Sequence, residues 1–226
     1  MKRIKNIVKV CGLRDSENIR QVAALGVDWI GMIFWEKSPR NVTMIPSHAG
    51  IIPDRASLSP LATNNSPLKV GVFVDEMAQN IITRVVNFQL DLIQLHGHET
   101  PTLIRNLRRT LADIRPVKVI KAISVSSRDD IAAYKDYADC VDYFLFDTKC
   151  PSVGGSGQQF DWSVLDGYDG EVPFLLSGGI GPDDAERVRN FHHPKCIGID
   201  LNSKFETEPA MKDVAAIGKF LNELHR

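Results

Sequence analysis

Residues 144–162 read Phe144-Leu145-Phe146-Asp147-Thr148-Lys149-Cys150-Pro151-Ser152-Val153-Gly154-Gly155-Ser156-Gly157-Gln158-Gln159-Phe160-Asp161-Trp162. An apolar run ends on one acidic residue, Asp147, and opens into a loop whose glycines let backbone come close to a ligand. Such a stretch is a strand end feeding a functional loop, or, taken alone, a solvated turn with a flexible glycine tail. A carboxyl group at the mouth of an apolar strand loses hydration, which favours the protonated form that a general acid needs.

The same rhythm runs through the rest of the chain. Strand-like runs occur at 7–11, 28–34, 69–74, 91–95, 117–123, 142–147, 172–177 and 195–201, rich in Val and Ile. Helical candidates lie between them. Residues 16–25 open with a serine cap, 76–88 and 102–111 have apolar residues at helical spacing, and 126–138 pairs a Ser126 cap with Asp129. Further helices are expected at 183–190 and 211–224, with a short one around Trp162–Leu165. Residues 42–68 have to supply the second helix, yet Pro53, Pro60 and Pro67 interrupt it, so an irregular, partly disordered connection is expected around 53–67. Alternating units with strands buried on both faces predict one α/β domain over 1–226, a single-domain (β/α)8 TIM barrel. An open doubly wound sheet is the second choice.

A barrel places its active site at the C-terminal strand ends. Those ends are polar here: Cys11-Gly12, Ser38-Pro39-Arg40, Asp75, Gln94 with His96-Gly97, Asp147, Ser177-Gly178-Gly179, and Asp200 with Asn202-Ser203. Residues two apart on a strand share a face, so Lys9 sits beside Cys11 and Tyr143 and Leu145 line up with Asp147. The turn from Ser177 to Asp184 is expected to open a helix and, with Asn202 and Ser203 next to it, to cradle a phosphate. A tight connection and an ordinary helix cap are the plainer readings of these two loops.

Composition narrows the function classes. The 226 residues are 43% apolar and 24% charged with a net charge of −1, and the basic residues are scattered, which argues against nucleic acid and an anionic membrane surface. No apolar run approaches about 18 residues and no signal-peptide core follows Met1, so a cytoplasmic protein is expected. Cys11, Cys140, Cys150 and Cys196 lack paired spacing, which disfavours a zinc site and a disulfide framework.

In order and spacing, these elements resemble the phosphoribosylanthranilate isomerase family of tryptophan biosynthesis. The resemblance rests on Lys9-Val10-Cys11-Gly12-Leu13, Ser38-Pro39-Arg40, Gly71-Val72-Phe73-Val74, Gln94-Leu95-His96-Gly97, Asp147 with Gly154–Gly157, Phe160-Asp161-Trp162, Leu176–Ile180 and Asp200-Leu201-Asn202-Ser203. It implies an Amadori rearrangement of an aminoaldose to an aminoketose, with Cys11 as base and Asp147 as acid. It further implies that Arg40 holds the anthranilate carboxylate or another anionic oxygen, that His96 lines the substrate site, that Asp200 bonds the ribose or orients Asn202, and that Gly178, Gly179, Asn202 and Ser203 bind phosphate. The implied partner is the small-molecule substrate phosphoribosylanthranilate, with no cofactor and no metal, in a monomer or homodimer. A free thiol ionises near ~8.5, so Cys11 needs a nearby cation, such as Lys9, or oriented backbone N–H groups to favour its thiolate. Trp29, Trp35 and Trp162 read as packing residues. Gln158, Gln159 and Ala210 depart from the family pattern.

Three rivals stand beside this reading. A histidine-pathway isomerase of the same build uses two aspartates, a Schiff-base aldolase would use Lys121, and a noncatalytic barrel would bind a phosphometabolite without turnover.

Overall fold

The computed structural model describes residues 7–43, 66–148 and 161–226. The helix expected between the second and third strands, residues 53–65 of the irregular connection, Cys150 and the Gly154–Gly157 loop lie outside them.

Eight parallel strands close on themselves: β1 (Ile7–Val10), β2 (Trp29–Ile33), β3 (Leu68–Phe73), β4 (Leu92–Leu95), β5 (Lys118–Val125), β6 (Tyr143–Thr148), β7 (Phe174–Ser177) and β8 (Cys196–Leu201). Each pairs with the next, and β8 returns to β1 with Ile7 opposite Gly198 and Lys9 opposite Asp200. The open-sheet alternative is thereby excluded, because both edges of such a sheet would be unpaired.

Two apolar layers follow from strand alternation. Inside the barrel pack Trp29, Val70, Leu92, Ile120, Ala122, Leu145 and Leu175. Outside it, Phe73, Ile93, Val119, Phe146 and Leu176 meet the helices. Burying each such side chain contributes roughly 1.5–3 kcal/mol before chain entropy is subtracted.

The helices are α1 (Ser16–Ala24), α2 (Ala78–Asn87), α3 (Pro101–Ile114), α4 (Arg128–Ile131), α5 (Ala185–Asn190) and α6 (Val214–Leu224). In α3, Thr100 caps the Leu103 N–H, Pro101 starts the first turn, and Ile104, Leu107 and Leu111 bury one face. Three boundaries differ from the sequence reading. Asp15, rather than Ser16, caps α1 by accepting from the Asn18 N–H. The capping box of α4 is Ser127 with Asp130, one residue later than expected, and the helix tightens into a 3₁₀ turn at Ala132–Asp136. Met211 and Lys212 form β10 against β9 (Glu206–Glu208), so α6 starts only at Val214, capped by Asp213. Asn18 explains this last difference: its amide accepts from the Lys212 N–H and donates to the Lys212 carbonyl, holding the segment extended.

Candidate active site

The inward face of every strand continues past the apolar layer into a cavity of about 450 Å³ at the C-terminal ends. Leu92 is followed on that face by Gln94 and His96, Leu145 by Asp147, Leu175 by Ser177, and Ile120 and Ala122 by Ser124. The periodicity that builds the core therefore also aims the polar groups.

Cys11 lies just beyond β1, buried, with its N–H bonded to the Leu201 carbonyl of β8 at 2.8 Å. Burial pushes its thiol up, while Lys9 and Lys212 pull it back. Lys9 is fully buried and its ammonium meets Asp200 Oδ1 at 2.9 Å. Burial, the largest single influence, would drive Lys9 towards neutrality, and Asp200 and Cys11 together more than offset it. The field expected from Lys9 is thus present, shared between a thiol and a carboxylate.

Asp147 is partly open to the cavity, and its Oδ2 stands 3.4 Å from His96 Nε2. His96 Nδ1 in turn is 3.3 Å from Gln94 Nε2.

A third group of charges sits over β1. Gly12 adopts φ +80°, and a Cβ there would come within 2.6 Å of Asn202 Oδ1 and 2.8 Å of Arg40 Cδ. Only glycine lets these side chains converge. Arg40 is bidentate to Glu206, with contacts of 2.6–3.0 Å, and Lys212 Nζ bonds both Asn202 Oδ1 at 2.8 Å and Glu206 Oε1 at 2.6 Å. Burial works against the charge of Glu206, but its bonds to Arg40 and Lys212 hold the carboxyl below the ordinary range.

Of the residues singled out in the sequence, Cys11, His96, Asp147, Gly178, Gly179, Asp200, Asn202 and Ser203 all line this cavity. Arg40 does not line it; its guanidinium is engaged by Glu206 beside it. The phosphate-cradle turn is arranged differently from expectation. Helix α5 starts at Ala185, not Asp183, and the Gly181 N–H is taken by Asp184 Oδ2 at 2.7 Å. Gly178 and Gly179, at φ +98° and +68°, are the part of the turn that faces the cavity. Trp35 is not a packing residue: it is 38% exposed and lines the mouth with Ser38. Lys121 points to the outside of β5, where Leu95 O, Gly97 O and Glu99 Oε2 accept from its ammonium. Lys121 therefore does not present its amine at the mouth, as a Schiff-base aldolase built on it would need. Lys204 and Ser124 line the cavity without having been singled out; strand parity, carried one step further along β5, would have found Ser124.

Comparison with known proteins decides the family. Residues 8–223 match the family described as N-(5′-phosphoribosyl)anthranilate (PRA) isomerase. The chain belongs to that family. It is 45% identical over 218 residues to the N-(5′-phosphoribosyl)anthranilate isomerase of Parabacteroides distasonis, covering 96% of this chain and 93% of the relative. The corresponding protein of Phocaeicola vulgatus is 42% identical over 218 residues, covering 96% and 97%. Among solved structures, phosphoribosyl anthranilate isomerase from Thermotoga maritima superposes with a TM-score of 0.74 at 30% identity, covering 97% of this chain and 98% of that one. A structure of phosphoribosyl anthranilate isomerase in complex with reduced 1-(o-carboxyphenylamino)-1-deoxyribulose 5-phosphate gives a TM-score of 0.72 at 27% identity, covering 97% and 98%. The barrel fold is thus shared with these structures over 97% of the chain.

Proposed function

We propose that Cys11 and Asp147 carry out the Amadori rearrangement of N-(5′-phosphoribosyl)anthranilate as general base and general acid. The chain is an aldose–ketose isomerase of tryptophan biosynthesis. Asp147 protonates the ribose ring oxygen, the C1–O bond breaks, and the anthranilate nitrogen and C1 form a Schiff base. Cys11 as thiolate removes the C2 proton, giving the enolamine. Transfer of a proton from the C2 hydroxyl to C1 then yields 1-(2-carboxyphenylamino)-1-deoxyribulose 5-phosphate, and this last step neither gains nor loses protons. Ring opening consumes one proton and C2 deprotonation releases one, so the whole rearrangement is proton-neutral.

The observation that carries the reading is the pairing of a buried thiol on β1 with a half-buried carboxyl on β6 in one cavity. Gly178, Gly179, Asn202 and Ser203 would receive the phosphate through the loops after β7 and β8. Asp200 and His96 would border the sugar, and Arg40, on leaving Glu206, would meet the anthranilate carboxylate as a planar fork. We take residues 1–226 to work as one cytoplasmic barrel domain, monomeric or homodimeric, on a small-molecule substrate and without nucleic acid. Among the described residues no helix is long and apolar enough to cross a membrane.

The test is turnover of freshly generated phosphoribosylanthranilate, followed by loss of its fluorescence. Parent activity that collapses by at least about a hundredfold in folded Cys11→Ala and Asp147→Asn supports both roles. An inactive parent that still binds a product analogue points to the binding barrel, and full rates in the variants discard the acid and base.

A further inference from the structure

Gln94 shares the inward face of β4 with Leu92 and His96, and its side chain is 2% exposed. Its Nε2 meets His96 Nδ1 at 3.3 Å, whereas its Oε1 has no hydrogen-bond partner among the described residues. Packing alone gives no reason to bury an amide in this way, since a leucine would fill the same inward position at lower desolvation cost. The contact to His96 does give one. With the amide placed so that its NH₂ meets the ring, Nδ1 is the acceptor and the ring proton sits on Nε2. Nε2 lies 3.4 Å from Asp147 Oδ2, within ion-pair distance.

We propose that Gln94 is a positioning residue which holds His96 in its Nε2–H form, so that His96 occupies Asp147 Oδ2 and leaves Oδ1 to carry the transferred proton. The inference rests on Asp147 being the acid. Three groups then act in sequence: Gln94 sets the tautomer, His96 sets the carboxyl, and Asp147 meets the ring oxygen. In the other tautomer the Nε2 lone pair would face Asp147 and accept its proton, drawing it away from the sugar. The Nε2–H instead stabilises the carboxylate left after proton donation.

Two variants separate this role from packing. Gln94→Glu keeps the shape but offers an acceptor to Nδ1, which moves the ring proton onto Nδ1. Gln94→Leu removes the polar contact and leaves the tautomer unset. The first measurement is a long-range ¹H–¹⁵N correlation spectrum of the parent, with the His96 signals identified by their loss in His96→Asn. The expected results are an Nε2–H ring in the parent and an Nδ1–H ring in Gln94→Glu. In folded Gln94→Glu, kcat should fall at least about tenfold with KM moved less than about threefold. An Nδ1–H ring in the parent overturns the proposal, as does unchanged kcat in Gln94→Glu. The tautomer is read without turnover, so a parent that fails to isomerise the substrate sinks the functional reading and leaves this test intact.

Discussion

A Cβ at Gly31 would lie 2.8 Å from Cys11 Sγ and 3.0 Å from Cys11 Cα, so β2 gives up a side chain where β1 delivers its thiol. Backbone and thiol cannot both yield there. Gly31→Ala is expected to cost about 1–3 kcal/mol of stability through overpacking. Because a displaced base misses C2, kcat/KM should drop by roughly a hundredfold in protein that remains folded. Thermal unfolding and turnover of the same sample check both; an active, stable alanine variant would show that the thiol has room to move.

Lys9 and Asp200 form a buried pair, and removing one partner strands the other's charge. Asp200→Asn should destabilise by about 3–5 kcal/mol, and the double change Lys9→Met with Asp200→Leu should recover most of that stability. Activity should stay lost in the double variant, since Cys11 then lacks its cation. Denaturant unfolding of the parent and the two variants measures both changes. A double variant no more stable than Asp200→Asn alone would contradict the charge argument.

Lys204 is exposed and borders the cavity next to Gly178, Gly179 and Ser203. Its charge should strengthen phosphate binding without taking part in proton transfer. Lys204→Ala is expected to raise KM by about threefold to tenfold with kcat unchanged, and to weaken competition by inorganic phosphate. The KM difference should shrink as salt is added. A salt-independent effect would assign the loss to loop shape instead.

Burial pushes the Cys196 thiol up to about 11 from an ordinary 9.0, against opposing backbone hydrogen bonds at Gly198 and Leu176. Between those values the unfolded chain has lost this proton and the folded protein still holds it. Stability supplied by Cys196 is therefore complete below pH 9 and declines as pH rises towards 11. Cys11, also raised by burial, adds to the same slope. Urea midpoints measured from about pH 8 upward should fall, and Cys196→Ala should flatten the decline. A decline of equal steepness in that variant would rule out this thiol as a source.

The raised thiol of Cys11 also shapes the reaction's pH dependence. Cys11 works as a thiolate, so kcat/KM should rise as pH increases above neutrality, with the sign set by burial favouring the protonated form. The pH profile of turnover checks this; a rate that falls between neutral and mildly alkaline pH would remove Cys11 as the base.

The sequence by itself determined the eight strands, their inward and outward faces and the polar residues at their ends. These are local properties: a period of two, a β-branched run and a glycine where φ is positive are written in neighbouring residues. Asp147 and His96 could be placed at the mouth because each stands where an apolar strand-like run ends, with Tyr143 and Leu145 on the same face as Asp147. The start of α6 was misjudged because Asn18, distant in sequence, holds Lys212 extended. Trp35 was misjudged because aromatic character does not say which side of a loop it faces.

Only the tertiary structure decided which charges meet. Lys9 and Asp200 are 191 positions apart and pair through the register of the β8–β1 seam. Arg40 meets Glu206 across 166 positions, and Lys121 turns outward to Glu99. Side-chain partners in a closed barrel depend on strand stagger and on which strand closes the ring. No periodicity within a single strand encodes that relation, because it exists only once all eight are in place.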